Sequence, residues 1–142
     1  MASVFYNNYH EELGKGSIDY TSDTFYLMLM TSAYTPDIDT EAFRSDLSNE
    51  SSGTNYTAGG QEVASVTWTQ NNTDNRAVLD FADEVFVNVT LASAAGAVLY
   101  KRTGADTTDI LICFIEFTEG DRSVVANEFT VTPATAGVLT NG

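Results

Sequence analysis

Basic side chains are scarce in this chain. Six lysines and arginines stand against twenty aspartates and glutamates in 142 residues, a formal charge of −14. Proteins that hold duplex nucleic acid do so by replacing counterions with lysine and arginine. Direct nucleic-acid binding is therefore not expected, nor is adhesion to an anionic membrane. Cysteine is scarcer still: Cys113 is alone, so no intramolecular disulfide framework forms. The longest apolar runs, Phe25 to Met30 and Ile110 to Ile115, fall far short of a membrane span. The opening MASVFYNNYHEE has neither the basic nor the apolar region of a signal peptide. The expectation is a soluble protein made in a cytoplasm.

Reactive constellations are equally thin. His10 is the only histidine. A Cys–His nucleophile pair would need Cys113 in an exposed, electropositive setting, and it sits in the most apolar stretch of the chain. A serine triad would have to use His10, and there is no G-x-S-x-G elbow. Asp37, Asp39 and Glu41 alternate as a calcium loop begins, without the glycine and glutamate that complete one. They read as acids at a helix start. Zinc has no ligand set. Ala58-Gly59-Gly60 lacks the ending of a phosphate loop and reads as a flexible turn. Asp80, Asp83 and Glu84 flank a strand break and read as a solvated edge rather than a glycosidase dyad. The sequons at Asn49, Asn55, Asn71 and Asn88 read as by-products of abundant Asn, Ser and Thr. No catalytic residue, metal or cofactor is assigned, and the chain is not expected to be an enzyme.

What is present is a core. Ile110 to Phe117, ILICFIEF, is apolar at seven of eight positions and rich in β-formers, so it reads as a strand buried on both faces. Gly96 to Tyr100 is a second apolar run, joined to it through the polar Lys101–Asp109 loop as a hairpin. Thr24 to Thr31, TFYLMLMT, is a third. Ala64, Val66 and Trp68 alternate with polar residues, and so do Ala77, Leu79 and Phe81 beyond a turn at Asn71 to Asn75. Val85, Val87, Val89 and Leu91 alternate with Phe86, Asn88 and Thr90 in a half-buried strand. A turn at Glu119-Gly120-Asp121 leads to Phe129 and Val131, and Pro133 stops that strand. Val138-Leu139 adds a last pairing.

Two helices are expected. Phe5, Tyr9 and Leu13 share a face over Val4 to Leu13, with Ser3 as N-cap and Gly14 as the stop. Thr35-Pro36-Asp37 has the composition of a helix start, and Ile38, Ala42, Phe43 and Leu47 mark a stripe down about ten residues. Ser48 to Gln61 is a long polar loop. The sum is one all-β domain over residues 1–142, an antiparallel sandwich or jelly roll of about seven or eight strands with two short helices. Tyrosine is favoured where a partner buries a surface yet leaves a polar tip. On that ground Phe5, Tyr6 and Tyr9, with Tyr34 and Tyr56 at loops, are the expected intersubunit contact.

Five blocks in order, VFYNNYHEELGKGSID from Val4, TSAYTPD from Thr31, TNYTAGG from Thr54, RAVLDF from Arg76 and GAVLYK from Gly96, together resemble a family of small virion proteins of tailed bacteriophages. The resemblance spans about Val4 to Phe117. Asn55 stands where that family has glycine, and a turn tolerates it. The resemblance implies a capsid decoration or cement protein on the virion surface, bound to the major capsid protein and self-associating as a trimer or dimer. It carries over no catalytic residues. A tail fibre, baseplate or host-surface binding module is the alternative, and a glycan-active enzyme a third reading.

Overall fold

The computed structural model describes residues 2–133 and 139–141. Eleven strands lie among them, in three antiparallel sheets. They are β1 (Ala2–Phe5), β2 (Phe25–Met30), β3 (Gly53–Thr54), β4 (Gln61–Glu62), β5 (Thr67–Asn71), β6 (Arg76–Asp80), β7 (Glu84–Ala94), β8 (Gly96–Lys101), β9 (Ile110–Glu116), β10 (Arg122–Val131) and β11 (Leu139–Asn141). One helix, α1 (Asn7–Gly14), and a 3-10 turn at Arg44–Asp46 complete the fold. The β-rich, antiparallel, sandwich-like class with minor helix is as expected. The strand number is higher because β1 forms where a helix was expected and because β3 and β4, two residues each, lie in what reads as a loop. Of the expected final pairing, Val138 lies outside the described residues, and Leu139 begins β11 opposite Leu79.

The five-stranded sheet, in order β1-β9-β8-β2-β4, is the centre of the molecule. Leu27 pairs with Leu99, and Leu99 with Cys113. The near-continuous apolar spelling of β2, β8 and β9 follows from burial on both faces. One face carries Phe25, Leu27, Leu29, Ala97, Leu99, Ile112 and Ile115 into the main core, with Leu79 of β6 and Phe86, Val89, Leu91, Phe129 and Val131 of β7 and β10. The other face carries Met28, Met30, Val98, Tyr100, Leu111 and Phe114 into a second core. That second core is roofed by Tyr6, Tyr34, Ile38 and Leu47.

The roof is the segment 31–60, and it is fastened rather than loose. Thr31 donates its N–H to the Asn49 carbonyl (2.9 Å), and Ser51 donates to that of Leu29 (2.8 Å). Phe43 bridges to Ile110. Arg44 Nε–H donates to Asp109 Oδ2 at 2.8 Å, and Asp109 has no solvent exposure. Burial favours the neutral form of Asp109, but the N–H and hydroxyl of Thr103 and the Arg44 guanidinium outweigh it and hold the carboxyl below its ordinary value. At Gly60 the backbone takes φ 79°, and a Cβ there would lie 1.9 Å from the Leu27 carbonyl oxygen. Gly59 donates its N–H to Glu50 (2.6 Å) and accepts from the Tyr100 hydroxyl (2.5 Å). The pair expected to be a flexible turn is instead clamped against β2 and β8.

Both helix expectations need correcting. Ala2–Phe5 is an edge strand, with Val4 opposite Phe114 and Phe5 opposite Cys113. The helix begins only at Asn7, with Tyr6 rather than Ser3 at its N-cap position. An open edge of β9 offers these four residues a ladder that one helical turn cannot match. Thr35 to Leu47 forms no α-helix. Asp37 Oδ1 accepts from the N–H groups of Asp39 and Thr40, and Asp46 Oδ2 accepts from those of Ala42 and Phe43. Side-chain acceptors of this kind compete with the helical ladder.

Candidate interaction surface

The reactive groups are placed where they support the fold. Cys113 is fully buried in β9, and burial raises its thiol pKa far out of the physiological range. His10 is exposed on α1, its ring against Phe5 and Tyr9. Glu84 is buried at the start of β7, where it accepts a hydrogen bond from Gln61 Nε2. Burial lifts its pKa, the Gln61 bond opposes this, and Glu62 adds to it. Asp80 accepts the N–H of its neighbour Phe81, and Asp83 is exposed. Asp37, Asp39 and Glu41 are tied into the 34–41 turn and to Asn7. No cluster of three metal-ligating side chains occurs among the described residues. No helix among them is long and apolar enough to cross a membrane.

The five aromatics expected at a contact are mostly covered by the chain itself. Tyr6 and Tyr9 are fully buried and Tyr34 is 7% exposed. Tyr34 donates its hydroxyl hydrogen to Glu41 (2.7 Å), so at 2.6 Å Tyr6 must be the donor to Tyr34. Tyr20 donates to Tyr9 (2.9 Å). Burial pushes the Tyr9 hydroxyl up to about 12, against the opposing Tyr20 bond. Tyr56 donates to Glu50 and accepts the Leu29 N–H, both at 2.9 Å. Phe5 is half-buried, stacked on Tyr9 at 4.7 Å. Phe5, Tyr9 and Tyr56 pack on the main core and Tyr6 and Tyr34 on the second, so the five rings do not form one site. The polar tips that suggested an interface find their partners inside the chain.

Two surface features remain that sequence reading missed. The first is a groove at the end of the second core that the roof leaves open. Phe114 floors it, and Tyr34, Pro36 and Ala95 form its walls. It continues past Pro36 and Phe114 to Val4 and Ser3. The Phe114 ring packs against Gly96, where a Cβ would sit 2.5 Å from two of the ring carbons. Glu116 and Asp121 rim the groove, and none of the described residues lining it is basic.

The second feature is the outer face of the β7–β10 ribbon. Val85 is 37% exposed, Val87 64% and Val125 78%, the last two being the most exposed large apolar side chains described. The alternating pattern in β7 leads one to expect Val85 and Val87 to share the buried face of Val89 and Leu91. Instead Phe86, Val89 and Leu91 point inward. Asn88, at φ 51°, breaks the alternation and flips the phase, and β10 answers with register shifts on its own strand. A bulge of this kind is not written in the periodicity; an asparagine that tolerates positive φ is its only trace.

No family model, no curated protein and no solved structure matches the chain.

Proposed function

We propose that the chain is a structural protein of a tailed-bacteriophage virion, a decoration or cement protein that binds the major capsid protein lattice. One observation carries this reading most: a groove floored by Phe114 whose charged residues, among those described, are the acids Glu116 and Asp121, on a body of charge −14. A groove of that character fits a basic segment with an apolar anchor. Opposite charge on the lattice speeds encounter, and the Phe114 floor supplies desolvated contact. The ordered residue blocks quoted from Val4 to Phe117 favour the same assignment. No catalytic role is invoked, and synthesis in the host cytoplasm precedes assembly on the capsid surface.

Purified chain added to particles that lack it tests the reading. Binding is expected at lattice-scale stoichiometry, weakened by salt and by Glu116→Lys, with a gain in the particles' resistance to heat and osmotic shock. Binding of a few copies confined to the tail would replace the proposal with the tail-side alternative. No binding at low salt would overturn it.

A further inference from the structure

We infer that a cleft on the β5–β6 hairpin is a binding site for an uncharged oligosaccharide. The inference does not depend on the virion reading. Its first ground is a stack of three rings that starts in the core and ends at the cleft. Phe25 (1% exposed) and Tyr20 (8%) lie 5.0 Å apart at 25°, and Trp68 lies 5.2 Å from Tyr20 at 22°. Trp68 is only half-buried, and it lines the cleft. The indole is therefore braced by Tyr20 and still accessible from outside. A pyranose lays its C–H face on such a ring, whose π-face is electron-rich.

The second ground is what surrounds the indole. Trp68 and Gln70 share a face of β5, with Leu79 and Ala77 of β6 opposite them. Ala77, a short side chain, lines the space, which measures about 510 Å³. Small-ligand sites occupy roughly 300–1,000 Å³. Of the eight residues lining the cleft, four are carboxamides: Gln70, Asn71, Asn72 and Asn75. Each carries donors and an acceptor in one plane, which matches the adjacent hydroxyls of a sugar. Asn71 is spent on the turn, where its Oδ1 accepts from the N–H groups of Thr73 and Asp74. Gln70 and Asn72 are not. Gln70 Nε2 donates to Asn72 Oδ1, and the Gln70 carbonyl and the Asn72 amide have no partner among the described residues. One bond fixes the pair, and its other ends remain for a ligand.

Charge decides between ligands. Among the described residues, Arg76 alone is charged in the lining, and it is paired with Asp74 at 3.1 Å. The cleft is thus neutral on a body of charge −14. A nucleobase would stack on the indole, but its phosphates would meet that net charge without cations to offset it. An acidic sugar is opposed in the same way. A metal ion finds no cluster of three ligating side chains among the described residues. An apolar ligand would cover the carboxamides and leave them unpaired. An uncharged sugar satisfies both the ring and the amides.

Trp68 is the only tryptophan, so its fluorescence and its indole N–H resonance report on this site alone. The probes are uncharged oligosaccharides of glucose, galactose, mannose and N-acetylglucosamine, titrated to about 10 mM, beyond a millimolar Kd. The expected result is a saturable shift of the indole signals with at least one of them, and none with a polyuronate of similar length. Gln70→Ala with Asn72→Ala changes exposed side chains only. It should raise the Kd about five- to tenfold, the worth of one or two hydrogen bonds. Trp68→Ala, followed by saturation transfer to the sugar protons, should abolish binding while circular dichroism checks its fold. The double variant keeps the test open if that chain does not fold. No shift with any of the uncharged sugars would overturn the inference. So would a shift that the double variant leaves undiminished, since the sugar would then lie elsewhere, or equal binding of the polyuronate.

Discussion

The five-stranded sheet and the β7–β10 ribbon are built from similar residues and treat them oppositely. In the first, Leu99, Leu111 and Ile112 have no exposure, and both faces are covered, one by the other sheets and one by the 31–60 roof. In the second, Phe86 and Phe129 are buried while Val87 and Val125 stand in solvent. A doubly covered sheet is where most of the stability resides, and it offers surface where the roof leaves the Phe114 groove open. A singly covered one contributes less per residue but presents a face. Mutations should separate the two regions by the kind of effect as much as by its size.

The largest expected effect is Leu99→Ala, which empties a site in the middle of the central sheet and should cost about 3 kcal/mol in urea unfolding. A loss under about 1 kcal/mol would mean that the main core is far looser than its burial implies. Gly60→Ala comes next, at about 2–3 kcal/mol, because the new methyl meets the Leu27 carbonyl at a left-handed backbone position. Arg44→Ala should cost about 2 kcal/mol. It strands Asp109 without its cation, and the loss is tempered because the Arg44 side chain is 21% exposed.

The two regions also hold buried acids whose pH dependence has opposite sign. Asp109 is held below the ordinary aspartate value of about 3.9. Its contribution is complete above that value and is lost as the pH falls through its lower folded pKa. Glu84 is raised above the ordinary glutamate value of about 4.3, so its contribution is complete below that value and is lost as the pH rises through its folded pKa. Denaturant midpoints across the acid range should therefore show Arg44→Ala weakening the acid-side loss. Glu84→Gln should remove the decline on the higher-pH side without lowering stability at neutral pH. The smallest effect on stability belongs to Val125→Thr, within about 0.5 kcal/mol by thermal unfolding, because Val125 is 78% exposed.

The parts of the fold legible in sequence are those whose residues report their own environment. The apolar runs of β2, β8 and β9, the alternation of β5 and β6 around Asn71 to Asn75, and the Gly120 turn are each local signals. What escaped was decided at a distance. Ala2–Phe5 extends because β9 has an open edge, against a four-residue spacing that suits a helix. Thr35 to Leu47 fails to coil because Asp37 and Asp46 capture nearby amides and Phe43 reaches Ile110. The buried tyrosines misled in the same way: their polar tips pointed to a partner chain, and each finds a hydroxyl or carboxylate within its own chain. The exposed valines were hidden by the flip at Asn88, which no period reveals. The uncharged run that surrounds them was visible in the sequence from the start.

The most direct measurement is the copy number of this chain in purified virions by quantitative mass spectrometry, before and after a high-salt wash. A decoration protein held through an acid-rimmed groove is expected at the scale of the capsid lattice and should be shed by salt. A chain absent from the particle, or confined to a few salt-resistant copies, would contradict that role.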